Sequence, residues 1–162
     1  MILKRIAYKW LVEWKGSDDC KLILIRGARQ VGKTTLVRDF AREFDSYIEL
    51  NLEWKSDRDL FKINDTAKII NSIYLEKGIK PKKGSVLLFI DEIQEEPIAI
   101  QQFRFFYEEY PELYVIAAGS LLEFALSKVP SFPVGRIGYL YMHPINFEIV
   151  SLKRNLLKSK YY

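Results

Sequence analysis

With 162 residues, 49% of them apolar, the chain has material for one domain with a buried core. Its 25 basic and 21 acidic residues leave a scattered net charge of +4, too mild to argue for nucleic acid, and a single cysteine, Cys20, excludes an internal disulfide. No secretory leader and no run of about 18 apolar residues occurs, so a cytoplasmic protein without a membrane span is expected.

Ile2, Ile6, Trp10 and Trp14 follow helical spacing, with Leu3 and Leu11 beside them, and predict an opening amphipathic helix over residues 1–16 that packs on the body. Short β-rich runs then alternate with helical patterns. Lys21 to Arg26 reads as a buried strand, and Lys33 to Phe44 as a helix with Leu36, Val37, Phe40 and Phe44 inward. Tyr47 to Leu52 reads as a second strand. A single helix is expected from Asp59 to Leu75, burying Leu60, Ile63, Ala67, Ile70 and Tyr74. After the basic turn Gly78 to Gly84 comes the most apolar strand, Ser85 to Ile90, ended by Asp91 and Glu92. A helix over Ile98 to Tyr110, a strand over Tyr114 to Ala118 and a short helix over Ser120 to Ser127 follow. Pro130 to Gly138 reads as loop, Tyr139 to Met142 as a fifth strand and Asn146 onward as helix. Apolar strands separated by helices imply an α/β fold with a mainly parallel sheet.

The stretch between the first strand and its helix, Gly27-Ala28-Arg29-Gln30-Val31-Gly32-Lys33-Thr34, gives each residue type a physical task. The glycines permit a tight curl, so that successive amides and the helix N-terminus point at phosphates. Lys33 supplies a compact positive charge to the β- and γ-phosphates, Thr34 a hydroxyl for a bridging Mg²⁺, and Thr35 reaches the α-phosphate. Arg29 and Gln30 are read as shaping the loop.

Asp91 ends a buried strand and would face the same edge as the loop, where a carboxylate holds Mg²⁺ through water. Glu92 is then placed to orient or deprotonate an attacking water. An adjacent metal-holding Asp and a Glu favour hydrolysis over transfer to a small-molecule acceptor. Ser120 closes the run "VIAAGS" and would lie by the γ-phosphate; it also reads as a helix cap, with Glu123 three residues on. Arg136, on the loop "FPVGRIG", is a candidate to reach the γ-phosphate of this chain or a neighbour's, or else an ordinary loop arginine.

His143 stands without a second histidine or a cysteine at ligand spacing, so a transition-metal site is not expected. The aromatic cluster Phe103, Phe105, Phe106, Tyr107 and Tyr110 has helical spacing and reads as core rather than a base-stacking platform. Trp54 and Lys55, just past the second strand, could contact a partner, but nothing beyond their place on a loop suggests it. The basic tail over residues 151–162 reads as a helix with a solvated face.

The segments "LILIRGARQVGKTTL", "VLLFIDEIQ", "VIAAGSLLEFAL" and "FPVGRIGYLYMHPINFEIV" together resemble the prokaryotic AAA+-like ATPases that usually carry a C-terminal domain of nuclease-like character. The resemblance spans Leu22 to Val150 and implies a P-loop NTPase three-layer sandwich with five strands in the order 5-1-4-3-2. It makes Gly27 to Thr35 the Walker A segment, Asp91 and Glu92 the Walker B pair, Ser120 a sensor-like position and Arg136 a nucleotide-responsive arginine. It also adds Gln94, within "DEIQ", to the site. Relatives of this kind are longer, so residues 1–150 are read as the ATPase core and residues 151–162 as the start of a lid or further domain. The preference for adenine comes from the resemblance; no Asn-Lys-x-Asp motif for guanine is present. The expected function is binding of ATP and Mg²⁺ with hydrolysis, within a homo-oligomer or with a DNA or protein partner. The alternative is a nucleotide-dependent interaction module with little turnover.

Overall fold

The computed structural model describes residues 2–17, 22–80, 84–120, 127 and 137–142. Within them, ten elements run in the order α1 (Ile2–Lys15), β1 (Leu22–Gly27), α2 (Lys33–Phe40), β2 (Ser46–Asn51), α3 (Lys55–Asp59), α4 (Thr66–Glu76), β3 (Val86–Asp91), α5 (Ala99–Glu109), β4 (Leu113–Gly119) and β5 (Ile137–Met142). The strands form one sheet in the order β2-β3-β4-β1-β5, and every pairing is parallel. This is the expected 5-1-4-3-2 order read from the other edge, with helices on both faces.

Strand periodicity of two builds the layers. On β1, Leu22 and Leu24 face one side of the sheet, while Ile23 and Ile25 face the other. Val86, Leu88 and Ile90 of β3 join the first side, where α4 supplies Ile69, Ile70 and Ile73 and α5 supplies Ala99, Ile100, Phe103 and Phe106. Leu87 and Phe89 join the second, under Leu36, Val37 and Phe40 of α2 and Ala7, Leu11 and Trp14 of α1. The steps of three and four on each helix are those that align side chains on one face. Each large side chain so buried contributes roughly 1.5–3 kcal/mol before the entropy of ordering it is subtracted.

Several expectations need correction. The loop expected over Pro130 to Gly138 gives way to β5 at Ile137, because Ile137 and Gly138 pair with Leu22 and Ile23 of β1, and Lys55, read as loop, opens α3. The helix after the phosphate loop ends at Phe40 and tightens into a 3-10 turn over Ala41–Glu43, with Phe44 only partly buried. The single helix expected over Asp59 to Leu75 is broken: Ile63 is extended, and α4 restarts from Asp65, whose side chain accepts the Lys68 backbone N–H at 2.9 Å. That N-cap resets the helical phase, so Ile69 and Ile73 turn inward and Ala67 lies exposed. In the aromatic cluster, Phe103 and Phe106 are core, whereas Phe105 is exposed.

Asp57 on α3 is a buried acid, 1% exposed, that the sequence pattern gives no reason to expect inside. It accepts the Asn51 backbone N–H at 2.8 Å and the Lys77 ammonium at 2.7 Å, tying the end of β2 to the end of α4. Removing one partner of such a pair strands the other. Asp57→Ala is expected to cost about 3 kcal/mol, seen as a fall of roughly 6–12 °C in the thermal midpoint. A shift under about 2 °C would show the pair to be dispensable. No helix among the described residues is long and apolar enough to cross a membrane.

Candidate functional site

Because all five strands are parallel, Gly27, Asn51, Asp91, Gly119 and Met142 end on one edge of the sheet. The glycine loop and the acidic pair therefore meet by topology. Gly27 starts the curl where no side chain fits: a Cβ there would lie 2.4 Å from the Met142 carbonyl oxygen of β5 and 3.1 Å from Val31 Cγ2. Gln30, at φ 64°, and Gly32, at φ 87°, take the left-handed conformations that turn the chain into α2. The Gly32 carbonyl then accepts the Leu36 N–H at 3.0 Å, the first bond of that helix. Ala28, Arg29, Gln30, Gly32 and Thr35 are exposed at the rim, and Val31 is half-buried.

The helix itself is clamped in place. Arg38 donates to both Glu49 oxygens, at 2.9 and 2.6 Å, joining α2 to β2. That guanidinium holds the Glu49 carboxyl below its ordinary range.

Lys33, 6% exposed, folds back so that its ammonium donates to the Gly27 and Ala28 carbonyls at 2.9 and 2.8 Å. Burial lowers its proton affinity, opposed by the charges of Glu92 and Asp91. Asp91 is equally buried, and burial raises its pKa. Its Oδ2 accepts from the Thr34 hydroxyl at 2.6 Å, and its Oδ1 accepts the Glu92 backbone N–H at 3.0 Å. Two oxygen donors thus stand side by side at the mouth of a loop rich in N–H groups. Mg²⁺ takes one or two protein oxygens and completes its shell with phosphate and water, so this donor set fits it.

Glu92 is half-buried and leaves β3 in the left-handed region, at φ 53°. Its carboxylate accepts from the Gln94 side-chain amide. Ser120 follows Gly119, whose register partner is Arg26, the residue before Gly27; β4 therefore carries Ser120 to the edge between β3 and β1. Arg136, His143, Cys20, residues 121–126 of the helix expected over Ser120 to Ser127, the helix expected from Asn146, and residues 151–162 lie outside the described residues.

Arg29 pairs with Glu53 at 3.0 Å, so the loop tip is anchored to the chain leaving β2. Glu53 escaped the sequence reading; its only signal there was its place after a strand ending on the same edge. Trp54 beside it is 61% exposed.

A parallel 5-1-4-3-2 sheet with a glycine loop running from β1 into α2, opposite an acid at the end of β3, defines a P-loop nucleotide-binding core. The chain belongs to the AAA domain family, whose model matches residues 19–150, and is an AAA+-type core. It is 32% identical over 94 residues to the replication factor C large subunit of Sulfolobus acidocaldarius, a match covering 56% of this chain and 20% of that protein. In fold it is similar to the Walker-type ATPase of Pyrococcus abyssi, with a TM-score of 0.56 at 20% identity, covering 84% of this chain and 52% of that one. It is likewise similar to a chain of the Drosophila ORC assembly bound to AT-rich DNA and Cdc6, with a TM-score of 0.59 at 13% identity, covering 89% and 56%. The chain thus spans a fifth of the curated relative and about half of these structures.

Proposed function

We propose that the chain binds ATP with Mg²⁺ at the carboxyl edge of its sheet and hydrolyses the terminal phosphoanhydride. The observation that supports this most is the 2.6 Å contact between Thr34 Oγ1 and Asp91 Oδ2, which brings the hydroxyl after the loop lysine to the acid at the end of β3. In this reading the amides from Gly27 to Thr35 and the Lys33 ammonium bind the phosphates. Thr34 and Asp91 would hold Mg²⁺, which when bound would supply positive charge to the phosphate oxygens. Glu92 takes a proton from water as the water oxygen attacks the γ-phosphorus; the bond from that phosphorus to the bridging oxygen breaks, and ADP and phosphate leave. Ser120 helps hold the water, and Arg136 responds to the γ-phosphate.

Measuring phosphate release beside ATP binding, with and without DNA, tests this. Binding together with release is the expected result. Binding without release would leave a nucleotide-dependent module that acts on a DNA or protein partner or within a homo-oligomer. Phosphate appearing on an acceptor would make it a kinase.

A further inference from the structure

Glu92 interrupts the strand direction with φ 53° and ψ 45°, a conformation that L-residues other than glycine adopt rarely. The chain is then fixed at once, because Ile93 is fully buried and starts the 3-10 turn Ile93–Glu95. This turn brings Gln94 against the residue two positions before it, and Gln94 Nε2 donates to Glu92 Oε2. A carboxylate only accepts, so the amide must present its nitrogen to Glu92. Gln94 Oε1 is thereby committed to the other direction, where it is buried and has no hydrogen-bond partner among the described residues. A side chain needed only to fill this space would be better served by methionine, which buries no unpaired oxygen.

We infer that Gln94 is a positioning residue: its amide grips one oxygen of Glu92 and so turns the other towards the attacking water. This rests on the hydrolytic reading above. A left-handed backbone at Glu92 and a donor two residues later form one device, which re-aims a carboxylate that a continuing strand would carry elsewhere.

The test uses the 162-residue chain and the variants Gln94→Met, Gln94→Glu, Glu92→Gln and Glu92→Gln/Gln94→Met, reading kcat, KM, ATP affinity and thermal midpoint. Gln94→Met keeps the length and removes the donor. It is expected to lower kcat about tenfold to a hundredfold, with KM and ATP affinity within about twofold and the midpoint no lower. Gln94→Glu sets a like charge against Glu92 and loses at least as much. In the Glu92→Gln background, Gln94→Met is expected to cause no further loss, since Gln94 acts through Glu92. Full turnover in Gln94→Met, or a loss that adds fully to that of Glu92→Gln, would overturn the inference while leaving hydrolysis intact. Undiminished turnover in Glu92→Gln removes the role given to Glu92, and with it that of Gln94. A wild-type chain that releases no phosphate overturns both readings.

Discussion

Glu92→Gln is expected to keep ATP affinity within about threefold of the wild type while turnover falls by about 10²–10⁴-fold. The two effects separate because of where Glu92 sits. Its backbone N–H is tied to Asp91 Oδ1 and its carboxylate to the Gln94 amide. Lys33 and Thr34, to which the phosphates and the metal are assigned, make their own contacts with Gly27, Ala28 and Asp91. An amide in place of the carboxylate preserves shape and removes the proton acceptor. Equal losses of binding and turnover would show that Glu92 belongs to the binding apparatus instead.

Lys33→Ala is expected to weaken ATP binding by about 10²-fold, the scale set by losing charge-assisted bonds of about 1.5–3 kcal/mol each. Thermal stability should change little or rise. The Lys33 ammonium is buried, its proton affinity is lowered by that burial, and its partners are carbonyls of its own loop rather than of the core. On the proposed reading, a bound polyanion would offset the cost of desolvating it. Calorimetry for affinity and thermal denaturation for stability read the two effects separately. Unaltered ATP affinity would contradict the assignment of this ammonium to the phosphates.

Much of the frame was legible in the amino-acid order because burial on both faces leaves a plain mark. Val86 to Ile90 is wholly apolar, and the structure buries all of it, adding Asp91 at the end. The position of Asp91 opposite the loop follows once the strands are parallel. The strand order itself came from the resemblance to a family, since local pattern says nothing of which strands are neighbours. The break before α4 is hidden in the sequence because Leu60, Ile63 and Ile70 keep helical spacing across it, while the N-cap at Asp65 overrides that spacing locally.

The finer parts of the site were not legible for a different reason. Arg29 finds Glu53 24 positions away only because two strand ends share an edge. Asp57 finds Lys77 only because α4 restarts at Asp65, a break that helical periodicity does not mark. Gln94 reaches Glu92 only because Glu92 is left-handed, and no propensity forecasts such a conformation for glutamate. Contacts made by turns depend on φ and ψ at single residues, to which periodicity is blind.

The most direct test of the central claim is a calorimetric titration of the chain with ATP, first in Mg²⁺ and then in excess EDTA. Saturable binding at one site per chain, weakened about tenfold or more when the metal is chelated, is the result expected from Lys33, Thr34 and Asp91 meeting at one edge. No saturable binding by the folded chain, or binding indifferent to the metal, would contradict it.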